Sequence, residues 1–195
     1  MNVILTSKGF ENKSVFNKIM SIINIDIKKV RMLVIPIARK NEYKKEKYLK
    51  DYIELGFKKE NIYFFDDENS QKFKDLDIDI IYVCGGNTFT LKHYLKKSGF
   101  ERYIYNYLSK GVTYIGASAG SHIATNSIEH VVKFDKNTVN EKDMSGLNLY
   151  DGILICHYGE DRKEVYLELV KKYKKVETLT DEEIMYLANN KWIKK

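Results

Sequence analysis

Short apolar runs rich in β-branched residues alternate along the chain with longer stretches whose apolar positions recur every three or four residues. Runs of the first kind bury as strands and those of the second as amphipathic helices. Their alternation predicts an α/β fold, a three-layer sandwich with a mostly parallel central sheet and helices on both faces. Strands are expected at Asn2 to Thr6, Arg31 to Ala38, Asn61 to Phe65, Ile78 to Cys84, Val112 to Gly116 and Gly152 to His157. Helices are expected at Val15 to Ile25, Glu42 to Leu55, Thr88 to Lys97 paired with Phe100 to Ser109, and Lys163 to Lys175. The segments IDIIYVC and GVTYIG are apolar almost throughout, as suits strands buried on both faces between crossover helices. Two segments leave this rhythm. Ser127 to Phe134 (SIEHVVKF) and the tail EEIMYLANNKWIKK read as hairpin or edge strands, with Asn189-Asn190 as a turn. No repeat, linker or compositional break interrupts the pattern, so one domain over residues 1–195 is expected.

The 195 residues suit one compact core. The longest apolar runs, Met32 to Ala38 and Ile80 to Cys84, fall far short of the roughly 20 residues that span a bilayer. The opening MNVILTSKGFENK lacks the basic and apolar regions of a signal peptide, so the expectation is a cytoplasmic protein with no membrane association. Cys84 and Cys156 lie inside apolar runs, where a buried free thiol is the ordinary case, and two cysteines make no disulfide framework. The formal net charge is +6. Arginine occurs only at 31, 39, 102 and 162, and the lysines alternate with acidic residues in stretches such as NEYKKEKYLKDYIELG, which reads as solvated helix face rather than nucleic-acid surface. No CxxC, HxxxH or HExxH spacing occurs, so neither metal nor cofactor is expected.

The segment YIGASAGSHIA carries the sharpest chemistry. A buried strand runs into Gly116-Ala117-Ser118-Ala119-Gly120 and then into a helix, so Ser118 occupies a GxSxG elbow. Small neighbours let the chain turn sharply and lift the serine hydroxyl above the sheet, where backbone N–H groups favour a developing negative charge. A serine nucleophile needs a base, and of His93, His122, His130 and His157 the last is the best placed, at the carboxyl end of the run GILIC. His93 reads as a surface residue within a helix, His122 as a neighbour one turn beyond Ser118, and His130 as a half-exposed side chain of the SIEHVVKF segment. The orienting carboxylate is assigned first to Asp135, which gives the order Ser, Asp, His; Glu129, Glu160 and Asp161 compete.

A second cluster, Cys84-Gly85-Gly86-Asn87-Thr88, follows the strand IDIIYV. Its glycines permit positive φ and close backbone approach, and Asn87 can cap the next helix. Backbone N–H groups at Gly85 and Gly86 are candidates for an oxyanion hole shared with the N–H of Ala119. A phosphate loop is disfavoured, since neither GxGxxG nor GK[ST] is present.

Together GGNTFTL (Gly85 to Leu91), YIGASAG (Tyr114 to Gly120) and CHY around His157 resemble peptidase family S51, the serine peptidases that include aspartyl dipeptidase (peptidase E) and cyanophycinase. VIPIA (Val34 to Ala38) is similar to the family's second strand. The resemblance covers essentially the whole chain and implies a class I glutamine amidotransferase-like fold, with serine in place of cysteine. It further implies Ser118 as nucleophile, His157 as base, oxyanion donors at Gly86 and Ala119, and a small peptide substrate, including dipeptides with N-terminal Asp. Ser121-His122 departs from the family pattern, which has small or apolar residues there. A fold relative that binds an amino-acid-like ligand without turnover is the alternative of a different class. A small esterase is a third reading, disfavoured by the absence of an HGGG-type loop. Nothing in the residues selects between monomer and homodimer.

Overall fold

The computed structural model describes residues 2–40 and 42–195. Nine strands are present among them: β1 (Asn2–Thr6), β2 (Met32–Ile35), β3 (Ile62–Phe64), β4 (Ile80–Val83), β5 (Thr113–Ala117), β6 (Ile153–Ile155), β7 (Val176–Thr178), β8 (Ile184–Ala188) and β9 (Lys191–Lys194). The α-helices are α1 (Lys13–Ile23), α2 (Lys45–Glu54), α3 (Thr88–Lys97), α4 (Glu101–Ser109), α5 (Ala119–Ile123) and α6 (Lys163–Lys172). Seven strands form the central sheet in the order β3-β2-β4-β5-β1-β8-β9. The first five run parallel, and β8 and β9 join antiparallel beside β1. Strands β6 and β7 stand apart as a two-stranded parallel sheet.

Strand alternation divides the core into two layers. Val3, Leu5, Leu33, Ile35, Ile81, Val83 and Tyr114 face one side, where Leu91 and Leu95 of α3 and Ile104 and Leu108 of α4 cover them. Ile4, Met32, Val34, Ile80, Tyr82 and Ile115 face the other, against Val15, Phe16 and Ile19 of α1 and Tyr52 of α2. Successive side chains of a strand point to opposite faces, so apolar residues at every position mark a strand covered on both. The result is the three-layer α/β sandwich with a mostly parallel sheet that the alternation of segments implies.

The tail forms the antiparallel hairpin β8–β9. Ala188 opposes Lys191, leaving a two-residue loop in which Asn189 and Asn190 hold φ of 50° and 59°. These angles belong to the type I′ turn, whose twist matches that of paired strands.

Two segments differ from the sequence reading. Ser127 to Phe134 is not a strand: Glu129–Lys133 is a 3-10 helix. Ile128 and Val131, three residues apart, both enter a small core with Phe89, and that spacing is helical rather than alternating. The run Gly152 to His157 does supply β6, but its partner is β7, which lies beyond α6 in a segment without a strong strand signature. No described helix is long and apolar enough to cross a membrane.

The turn gives a simple stability test. Asn190→Gly relieves the positive φ and is expected to stabilise by about 0.5–1 kcal/mol, whereas Asn190→Val places a β-branched residue there and should destabilise by about 1–2 kcal/mol in urea unfolding.

Candidate active site

Strand β5 ends at Ala117, and the chain reverses through Ser118 into α5. Ser118 holds φ 49° and ψ −107°, an uncommon conformation for a residue with a side chain. Glycines make the reversal possible: a Cβ at Gly116 would stand 2.5 Å from the Gly120 carbonyl oxygen, and one at Gly120 would overlap the Val83 carbonyl. Polar bonds fix the elbow from below. The Ser118 N–H donates to the Thr6 carbonyl at 2.9 Å, and Tyr114 Oη donates to the Gly120 carbonyl at 2.6 Å. The buried Ser121 hydroxyl accepts the Thr6 N–H at 2.9 Å and lies within 2.9 Å of the Thr6 and Gly116 carbonyls. The polar residue at 121 thus fastens the elbow to β1.

His157 follows β6 with its backbone in the left-handed region at φ 52°. Its Nε2 lies 2.9 Å from Ser118 Oγ, and its Nδ1 lies 2.6 Å from Asp181 Oδ1. An ionised carboxylate only accepts, so Nδ1–H donates to Asp181, and Nε2 is left to accept the Ser118 hydroxyl proton. Asp181 lies in the turn after β7. The Thr180 N–H donates to Glu183 at 2.8 Å and Asn12 Nδ2 donates to the Asp181 carbonyl at 3.1 Å, which hold that turn in place. Lys8 Nζ approaches Asp181 Oδ2 at 3.7 Å, an exposed pair of small energetic weight.

The structure does not bring Asp135 to His157. Asp135 Oδ2 accepts the Thr88 N–H at 2.8 Å and caps the start of α3. The three competing carboxylates are elsewhere too. Glu129 pairs with Lys172 and Tyr173, Glu160 with Lys163, and Asp161 with Arg162. The chain between β5 and β6 packs over α3, whereas β7 pairs with β6 and carries the following turn to the histidine, so the order along the chain is Ser, His, Asp. The only local signal for Asp181 is a short stretch, VETLTD, ending in an acid, and its meaning depends on the β6–β7 pairing.

The glycine cluster after β4 lies beside Ser118. A Cβ at Gly85 would sit 3.3 Å from Ser118 Cβ, and Gly86 holds φ 140° with the Ala38 carbonyl and the Arg39 stem against it. Asn87 caps α3 by accepting the Thr90 N–H at 2.9 Å, and its own N–H donates to Ala38 at 3.0 Å. Among the described residues, neither the Gly86 nor the Ala119 N–H has a hydrogen-bond acceptor.

Two histidines are buried near the elbow. His122 Nε2 accepts the Cys156 N–H at 3.4 Å, and His130 Nε2–H donates to the Leu154 carbonyl at 2.9 Å. His130 is therefore an interior group rather than a half-exposed one. His93 is partly exposed and pairs with Glu141. Burial holds the His122 pKa well below the ordinary range and lowers that of His130 to about 4. Burial also pushes the Cys84 and Cys156 thiols up to about 12, so neither is a thiolate nucleophile near neutrality.

Ser118 and His157 open onto a crevice of about 910 Å³, lined also by Lys8, Glu11, Arg39, Tyr48 and Gly85. A serine on a strand-to-helix elbow, bonded to a histidine that is bonded in turn to a carboxylate, is the arrangement of the serine hydrolases. Comparison with known proteins makes the assignment specific: the chain belongs to peptidase family S51, whose model matches residues 3–194. An uncharacterized peptidase of Listeria monocytogenes is 38% identical over 98 residues, covering 49% of this chain and 48% of that protein. Peptidase E of a Nostoc species is 32% identical over 113 residues, covering 58% of this chain and 45% of its own length. In these matches the chain spans about half the length of its curated relatives. A crystal structure from Listeria monocytogenes, provisionally assigned as a peptidase E, superposes with a TM-score of 0.80 at 27% identity, over 100% of this chain and 97% of that one.

The buried histidines predict a pH-dependent stability. Their folded pKa values lie below the ordinary imidazole value of about 6.5, so the unfolded chain binds more protons as pH falls. Stability is complete above about pH 6.5 and declines below it, by up to about 1.4 kcal/mol per pH unit for each histidine; the His130 contribution levels off below about pH 4. Urea titrations across that window should show the decline, with a shallower slope for His130→Gln.

Proposed function

We propose that the protein is a serine peptidase acting on short peptides, with Ser118, His157 and Asp181 as its triad. The observation that carries this reading is the continuous hydrogen-bonded chain from Ser118 Oγ through the imidazole to Asp181, at 2.9 and 2.6 Å, open to the crevice. Ser118 Oγ attacks the scissile carbonyl carbon while His157 Nε2 takes the hydroxyl proton. The carbonyl oxygen gains negative charge, and the free N–H groups of Gly86 and Ala119 are the donors we assign to it. His157 returns the proton to the departing amine, leaving an acyl-serine that water hydrolyses by the same proton path. Asp181 holds the imidazole in the tautomer that accepts at Nε2 and stabilises its cation in each step. The reading is favoured over binding without turnover because Ser118 Oγ and His157 Nε2 lie within hydrogen-bond distance and both residues line the crevice.

For the substrate we assign Arg39 as the group that meets a carboxylate. It lines the crevice, its stem packs on Gly86, and among the described residues it forms no ion pair with a carboxylate. Its planar fork suits bidentate recognition better than the neighbouring lysines do.

A panel of dipeptides and tripeptides with N-terminal Asp, Glu, Asn or neutral residues tests the reading. Wild type is expected to cleave some members, Ser118→Ala none, and Asp181→Asn at a rate reduced by about 10⁴-fold, the scale set by a wrong imidazole tautomer. No cleavage of any member by wild type, or full activity in Ser118→Ala, would refute it. Arg39→Met is expected to raise KM for acidic peptides by about tenfold or more, with little change for neutral ones; an equal effect on both would remove Arg39 from the assignment.

A further inference from the structure

The three groups of the site hang on two sheets that share no strand. Ser118 leaves β5 of the seven-stranded sheet, whereas His157 and Asp181 leave β6 and β7 of the two-stranded one. Within each sheet the site is internally tied. The Ser118 N–H is bonded to Thr6 at the end of β1, at 2.9 Å. On the other sheet the Leu179 N–H donates to Ile155 and the Tyr158 N–H donates to Leu179, both at 2.9 Å, so the segments that carry base and carboxylate move together. The distance from His157 to Ser118 is then set by how the end of β1 docks on residues 155–157 and 179.

Ser7, the residue after β1, lies at that junction and is 2% exposed. Its Oγ accepts the His157 N–H at 2.9 Å and donates to the Leu179 carbonyl at 2.8 Å. One hydroxyl therefore joins the nucleophile's sheet to both segments of the other. The bond falls on the N–H of a residue held at φ 52°, a conformation that persists in a non-glycine residue only when its surroundings enforce it. Other polar links from residues 155–156 to the elbow and the end of β1 are longer: Cys156 Sγ to the Thr6 carbonyl at 3.7 Å, and the Cys156 N–H to His122 at 3.4 Å. Lys194 Nζ of β9 donates to the Thr178 carbonyl at 2.9 Å, but does so from an exposed side chain and not to His157.

We infer that Ser7 is a positioning residue of the active site: through its two hydrogen bonds it sets the placement of His157 against Ser118. It acts through the histidine backbone, and the inference rests on the triad of the proposed function. The loss of its hydroxyl releases the His157 backbone and lets the imidazole drift from Ser118 while both sheets stay folded. Near-attack geometry is sensitive to displacements of this size, so the effect belongs in turnover rather than in substrate affinity.

Ser7→Ala and Ser7→Thr, the latter keeping the hydroxyl, test this with three readouts. Proton NMR reads the downfield His157 Nδ1–H shared with Asp181 and needs no substrate. The rate of Ser118 labelling by diisopropyl fluorophosphate reads the activated hydroxyl. Steady-state kinetics on a cleaved peptide separates kcat from KM. Ser7→Ala is expected to lose or broaden the downfield resonance and to reduce labelling and kcat together by about 10- to 100-fold, with KM within about twofold. Ser7→Thr should recover most of each. A Ser7→Ala protein with wild-type resonance and labelling rate overturns the inference, as does a loss confined to KM. Should Ser7→Ala not fold, Ser7→Cys, which keeps a weaker donor and acceptor in place, is read the same way with a smaller loss expected. If wild type neither cleaves peptides nor labels, the peptidase reading fails, while the resonance still decides the role of Ser7.

Discussion

Parallel strand pairing is the constraint on which the site depends. Because β1, β2, β4 and β5 run in one direction, their carboxyl ends share an edge, and that edge receives Ser7, Arg39, the Gly85-Gly86 pair and Ser118. A second parallel pair, β6 and β7, delivers His157 and Asp181 to the same place. A hydrogen-bonded chain of three side chains drawn from positions 118, 157 and 181 then follows from the two registers and from the docking of one sheet on the other through Ser7. The cost appears locally, as positive φ at Ser118 and His157. Both angles occur where a strand must stop and present a side chain, and both residues have their N–H groups taken by neighbouring elements.

How much of this could be read from the amino acids follows from the range of the interactions involved. The elbow is a short-range object: small residues around Ser118 and the apolar strand before it lie within ten positions, so the turn that presents Ser118 and the glycine cluster at 85–86 are legible. So is the sandwich, because strand and helix periodicities are local. Asp181 is not, since its proximity to His157 comes from the pairing of Ile153 with Val176, and nothing near Asp181 announces that pairing. Asp135 lies between Ser118 and His157 in the sequence, but its carboxylate caps helix α3 instead. Ser127 to Phe134 misled for a related reason: Ile128 and Val131 satisfy a helical spacing, while the adjacent valines suggested a strand.

The pair Ser121-His122, which departs from the family resemblance, is explained by burial. Both side chains are inside the protein, and each satisfies backbone groups at the ends of β1 and β6 that would otherwise lack partners. A buried polar side chain is tolerated when it completes a hydrogen-bond network and is costly when it does not. Here the network runs directly beneath Ser118. The placement of Ser118 and the stability of the core are therefore served by the same few atoms.

Strand β1 lies inside the sheet, with β5 on one side and β8 on the other, so that Ile4 faces Ile115 in one register and Tyr186 in the other. During synthesis on the ribosome, residues 2–6 leave the exit tunnel long before residues 184–188 exist. Until then β1 has a bare edge of unpaired backbone groups, the kind of surface that recruits other chains. Closure of the sheet on that side must wait for the β8–β9 hairpin, which is made after every other strand of the sheet.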